Sequence, residues 1–394
     1  MGVEKIMRRA MAWLWLFALA ASGAAMAEDR PNVTFAGVAY SGDASSQQQR
    51  FPYSKQYESH LKAAGHSAYA RALAFVQQAP AQHLQISTNP IDELKGRDQA
   101  LVVSLVLNSE TVSVESFGGV RKLFILIRGQ ALFFDFKSMT AVRSYPLSFA
   151  FIDNLRHEPS QEEIMERVTK VYEGAGGKPG IFGRFAQVLA TATVPSQTPR
   201  FLQVTDIQIP AAMAEMLPGY LQDPQVHKTW AADIVGEAIS SRIGVPIIPF
   251  AMGYAVGNVM RMQVLDGEVY TLQLPSADYA ISVDFKGFKK LKFKESSAGT
   301  SYVYGTFADM RIQEPNGPVF LGASLKNAEV KVVPSTQTHV DDFPAFYDSL
   351  NGLFVKLAET VAAGRGNDWL KSAAAESDIE AQIVKTKDLM NLCK

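Results

Sequence analysis

The sequence predicts an α+β fold of two related modules, each a strand and helix followed by antiparallel β-hairpins and a closing helix. Three observations predict it. β-prone runs come in two groups, three in the first half and four in the second, each group follows one strand and one helical stretch, and that order occurs twice within 394 residues. Such an order segregates helices to one side of a largely antiparallel sheet. The composition permits it. With 47% hydrophobic residues there is enough apolar material for large cores, and 38 Lys+Arg against 39 Asp+Glu leaves no strong net charge. A disordered chain is excluded by the same figures, and a near-neutral balance argues against a nucleic-acid partner.

Residues 1–27 read as a signal peptide. Lys5, Arg8 and Arg9 precede the apolar run Ala10–Ala21, and Ala25-Met26-Ala27 fits the small-x-small rule, which places cleavage between Ala27 and Glu28. The run of 12 apolar residues is short of the roughly 20 that a spanning helix needs. No cysteine stands at the cleavage point, so the expected mature chain is not lipidated. A single cysteine, Cys393, forbids an internal disulfide and suits an oxidising compartment, so the expected location is the bacterial periplasm.

The first module is expected over residues 28–193. Val33–Tyr40 is a short β-prone run ending at Ser41-Gly42, and Tyr57–Phe75 carries apolar residues at helical spacing. Leu101–Val114, Lys122–Phe136 and Ala141–Ile152 follow as three strands. Ser160 and Glu163 form a capping box for a helix through Ile164, Val168 and Val171. Gly174–Gly180 breaks that helix as a flexible connection to a second one, Phe182–Ala192. Residues 194–200, with two prolines, are the expected linker.

The second module is expected over residues 201–365 and repeats the order. Phe201–Ile209 is a strand and Val226–Ile243 a helix. Met260–Leu274, Tyr279–Lys294, Ser301–Ile312 and Val319–Val333 are β-rich, with Asn316-Gly317 as a hairpin turn. Asp342–Ala363 is helical, and its stripe of Phe343, Phe346, Tyr347 and Phe354 reads as core. Asp98–Val103 (DQALVV) lines up with Asp278–Val283 (DYAISV), 180 residues on. Residues 366–394 form a helical tail expected to dock. Val245–Met260 is the most apolar stretch of the mature chain, and Pro246, Pro249 and Asn258 make it a buried strand and loop.

Motifs for chemistry are scarce. There is no G-x-S-x-G elbow and no H-E-x-x-H pair, and the six histidines are scattered, His60 and His66 standing on different sides of one helix. Gly174–Gly180 imitates a phosphate cradle, but Tyr172 and Pro179 occupy positions that a P-loop gives to Gly and Ser or Thr. No catalytic residue, cofactor or metal is therefore assigned. Asp135, Asp284 and Asp309 lie within β-rich runs, where acids are unfavourable, and most such residues simply face water. One candidate contact remains. Lys290, Lys292 and Lys294 alternate with Leu291 and Phe293, giving a strand an ammonium-lined face and an apolar one. Such lysines protect a strand edge from aggregation, or they meet an anionic surface such as lipid, cell-wall polymer or an acidic partner.

The runs Gln99–Leu107, Leu123–Phe136 and Val142–Leu147, with a strand ending Phe-Phe-Asp-Phe-Lys-Ser, resemble an α/β module of bacterial envelope proteins. These include the amino-terminal domain of the Tol-Pal translocation protein, the curli-secretion lipoprotein and flagellar-assembly accessory proteins. The resemblance implies a non-enzymatic scaffold or assembly factor that contacts an envelope or outer-membrane protein. The alternatives are an exported hydrolase with a site built from distant carboxylates, and a carrier of an apolar ligand around Phe124–Phe136.

Overall fold

A computed structural model of the chain describes residues 30–394 except 43–46, 49, 89–99, 118, 195–199, 251–258, 265–267 and 338–339. The expected signal segment, with Ala27 and Glu28, and most of the expected linker lie outside the described residues.

The fold is α+β. β1 (Asn32–Ser41) leads through α1 (Pro52–Ala63), α2 (Ala68–Gln78) and the short β2 (Gln85–Ser87) to a meander of β3 (Leu101–Phe117), β4 (Val120–Asp135) and β5 (Thr140–Leu155). α3 (Gln161–Glu173) and α4 (Ile181–Thr191) follow. β6 (Leu202–Gln208), α5 (Ala211–Ala214) and α6 (Pro224–Ile243) open the second half. Next come β7 (Val259–Val264) and β8 (Val269–Gln273), then a second meander, β9 (Tyr279–Ser296), β10 (Gly299–Gln313) and β11 (Val319–Pro334). α7 (Phe343–Ala363), α8 (Asp368–Ala373) and α9 (Ile379–Leu392) complete the chain.

The strands make two sheets, ordered β2-β1-β3-β4-β5-β8-β7 and β11-β10-β9-β6. In each, the opening strand runs parallel to the first strand of the meander, as a crossover through helices requires. Phe35, Val103, Leu105 and Phe133 pack with Phe182 and Phe185 on the helix side of the first sheet. On the second, Ile281, Val283, Met310 and Leu321 pack with Ile234, Leu350 and Ile383.

The two sheets share more than strand order. Pairing β3 with β4 skips Asn108, and pairing β9 with β10 skips Lys286; Val142 in β5 and Phe320 in β11 are skipped in the same way. Each of these bulge pairs stands 178 residues apart. The sequence alignment places equivalent strands 180 apart, a two-residue slip that leaves the in-and-out alternation unchanged and so cannot be seen in the pattern. A further bulge at Phe293 pushes β10 out by one residue relative to β4.

Four expectations change. Tyr57–Phe75 is two helices, because Gly65 takes a positive φ of 75° and the Ser67 side chain caps a new helix at the Ala70 amide. Gly174–Gly180 is a tight turn: a Cβ on Gly180 would sit 2.5 Å from the Gly174 nitrogen and the Tyr172 oxygen. β7 and β8, expected in the second module, pair with the first sheet, where β7 takes the end of β1 and β8 meets Thr140 of β5. They close a ring around Val106, Leu132, Phe134, Met262 and Leu272. Periodicity made them strands but could not name their neighbours. The tail is two helices, and they dock, burying Ile383, Leu389, Met390 and Cys393. Val245, Ile247 and Ile248 are buried, and the last two donate to Ser144 of the first sheet and Leu202 of the second.

Candidate functional site

The densest concentration of buried charge lies where α6 crosses the face of the first sheet that α1–α4 leave free. Arg128, set in the apolar run of β4, is 3% exposed. Its guanidinium donates to Glu237 Oε2 at 2.5 Å and to the Tyr347 hydroxyl at 2.5 Å. Glu237 also accepts from Ser148. Asp233, one turn earlier on α6, accepts from Asn108 Nδ2 at 3.4 Å. Asn108 accepts from Gln130 at 3.1 Å, Gln130 accepts from Ser144 at 2.5 Å, and Arg50 donates to the Asn108 carbonyl at 2.6 Å.

Burial sets the protonation here. It pushes the Asp233 carboxyl up to about 7, against the pull of Arg128 and Arg50, with Glu237 adding to the rise. Asp233 Oδ2 is buried with no hydrogen-bond partner among the described residues. Burial alone would lower Arg128, but Tyr347, Glu237 and Asp233 outweigh it and hold the guanidinium above its ordinary value. An acid near neutrality in a polar cluster is what general acid–base catalysis uses, yet that chemistry also needs reach to a substrate. Here α6 and α7 lie over the cluster, and it joins β4 and β5 of one unit to α6 and α7 of the other. Sequence reasoning missed it. The available signals were an arginine directly after the apolar run Leu123–Ile127, and two acids at i and i+4 within the mostly apolar stretch Trp230–Ile239 of a helix.

A second polar cluster is structural. α1 has no side-chain cap of its own, and Glu110 of β3 accepts from the amides of Tyr53 and Ser54 at 2.9 and 2.7 Å and from Ser54 Oγ at 2.5 Å. Burial raises this carboxyl, and the three donors work against that. The Tyr172 hydroxyl donates to Ser54 at 2.6 Å and its ring stacks on Tyr57.

The three lysines noted in β9 do not share one face. Lys290 and Lys292 pair with Tyr304 and Tyr302 on the side that carries α7, where Lys290 meets Asp342 at 2.8 Å, while Lys292 reaches Glu295 at 2.6 Å. The bulge at Phe293 puts Lys294 opposite Ser301, on the outer side. Asp135 accepts from the Ser138 amide and hydroxyl at 2.7 Å, closing a turn. Asp284 and Asp309 do come together, cross-strand neighbours that share Lys286 at 2.5 and 3.0 Å, with Ser324 donating to Asp309 at 2.7 Å. Phe133 and Phe134 are fully buried, and Phe124 packs against Tyr347.

The outer side of the second sheet is the open surface of the fold. A groove of about 570 Å³ crosses β9, β10 and β11 between Lys286, Lys289, Phe307, Asp309, Ser324 and Lys326, bordered by Ala373–Ala375. Lys289 lies 5.2 Å from the Phe307 ring centre. Beyond the groove, Leu291, Phe293, Val330 and Val332 are 62, 70, 57 and 63% exposed. Single exposed apolar residues are ordinary, but these four, on β9 and β11 with Val303 of the intervening β10 paired to both Leu291 and Val330, form a patch of the kind that marks a contact surface. Among the described residues, no group of three or more His, Cys, Asp or Glu side chains is placed to hold a metal ion, and no helix is long and apolar enough to cross a membrane.

No protein-family model and no curated protein matches the chain. Among solved structures it has a likeness to an Ntf2-like protein involved in plasmid conjugation, with a TM-score of 0.12 and 6% identity over 62% of this chain and 81% of that one. At that TM-score the likeness carries no argument, and the resemblance to envelope modules finds no support in these comparisons.

Proposed function

We propose that the protein is an exported, non-enzymatic scaffold or assembly factor of the bacterial envelope, built from two related modules and acting through protein contacts. The observation that carries this reading is an asymmetry between the sheets. The side of the first that α1–α4 leave free is covered by α6 and by β7 and β8, whereas the same side of the second faces solvent with an apolar patch and a lysine-flanked groove. The most perturbed acid, Asp233, lies between the units, where it serves their packing. Export rests on the amino-terminal pattern that ends at Ala27. The lysine-bearing strand β9 keeps its role as an anionic contact, with Lys294 on the outer side and Lys290 and Lys292 committed to carboxylates.

The test compares the chain with a Leu291→Asp/Phe293→Asp variant. Both side chains are more than half exposed, so the fold should be kept. Periplasmic material should begin at Glu28, and an envelope protein retained by the parent should be lost from the variant. Material beginning at Met1, or equal retention by both, contradicts the reading.

A further inference from the structure

The bulges that align the two meanders also align their outer faces residue by residue. Arg128 pairs with Ser148 beside the bulge at Asn108, and Phe307 pairs with Lys326 beside the bulge at Lys286. The groove of the second sheet is therefore the counterpart of the place where the first sheet receives α6. In the first sheet that place is filled by a helix that brings two carboxylates one turn apart, Asp233 and Glu237, to Asn108, Arg128 and Ser148. In the second sheet the equivalent positions offer ammonium groups and an aromatic ring, and no helix of the chain lies over them among the described residues.

We infer that this groove is the docking site for an amphipathic helix of a partner protein, one carrying carboxylates at i and i+4. Its carboxylates reach Lys289 and Lys326, and its apolar stripe lies on Leu291, Val303 and Val330. The inference rests on the reading above that this face binds a protein, and it names the chemistry of that partner.

Charge decides the sign of the ligand. Lys286 is shared between Asp284 and Asp309, one ammonium against two carboxylates, so the groove's positive excess comes from Lys289 and Lys326. Lys289, Lys294 and Lys326 have no carboxylate within ion-pair distance among the described residues. Geometry fits the length of a helix. Val303 pairs with both Leu291 and Val330, making an apolar row across three strands beside the groove, so one helix can cover the row and the lysines together. Helix-in-groove binding of this kind is read through anchors at i, i+3 and i+4.

The probe is a peptide of residues 224–243, the α6 segment itself, stapled on the side away from Asp233 and Glu237, because a free helix of that length is marginal in water. Its binding to the full chain is followed by fluorescence anisotropy, beside a D233N/E237Q peptide. The acidic peptide should bind about tenfold or more tightly than the neutral one, the effect of two charge-assisted contacts. A Lys289→Gln/Lys326→Gln chain should abolish that preference, and L291D/V330D should weaken both peptides. Absence of binding, or equal affinity for the two peptides, overturns the inference. So does lysine-dependent binding to phosphatidylglycerol vesicles without peptide preference, which would make a bilayer the occupant. Self-association abolished by K289Q/K326Q would make it a second copy and also overturns the inference. A partner that is lost on L291D/F293D, combined with no peptide preference, leaves the protein-binding reading standing and removes only the acidic helix.

Discussion

Arg128 compensates two acids of α6, bonding Glu237 directly and offsetting Asp233 together with Arg50. Truncating it to Ala should destabilise the fold by about 3–5 kcal/mol, the usual cost of leaving a buried charge unpaired. An Arg128→Met/Glu237→Met/Asp233→Asn combination should recover much of that loss, since an apolar replacement of a whole buried cluster is often neutral. Denaturant unfolding of the single and combined variants measures both. Asp233 also gives the cluster a pH dependence. Its carboxyl is raised from 3.8 to about 7, so the folded chain binds that proton more tightly than the unfolded one. Its stabilising contribution is complete below its unfolded value and is lost as pH rises through the folded one. Asp233→Asn removes this dependence. Melting temperatures of parent and variant should diverge in the variant's favour as pH goes from about 5 to about 8, and a constant difference would show that Asp233 does not titrate there.

At the scale of elements, local signals were legible and their company was not. Ser160 accepts from the Glu163 amide and Glu163 from the Ser160 amide, as the sequence pattern required. Ser160→Ala should cost about 1 kcal/mol. The Gly174–Gly180 turn was invisible as a packed object, because its glycines are needed by backbone contacts across the turn. Gly180→Ala should cost more than the cap does, and thermal melts of the two variants rank them. The strands of both meanders followed from β-prone runs and turns. The partners of β7 and β8 did not, since alternation says which residues face inward but not which sheet they join. The lysines of β9 fail in the same way: one bulge at Phe293 reverses the side on which Lys294 lies. The buried site was least legible, since Arg128, Asp233, Glu237 and Tyr347 meet only once the units are packed together.

At the scale of the molecule, β7 and β8 tie the second half of the chain to the first. A fragment ending at residue 194 lacks both strands and would expose Val106, Leu132 and Phe134. It should fail to unfold cooperatively, while the full chain melts in one transition through the ion pairs of α6 and the Ile247 and Ile248 links. Two independent transitions would show that the units fold apart. The central claim is that the outer side of the second sheet is the working surface. The most direct measurement is photo-crosslinking in living cells from a benzophenone side chain placed at Val303, with Ile152, the first-sheet counterpart of its cross-strand neighbour Val330, as the control position. A discrete adduct to one envelope protein from position 303 and none from position 152 is the predicted result. Equal labelling from the two positions, or no adduct from position 303, would contradict the account.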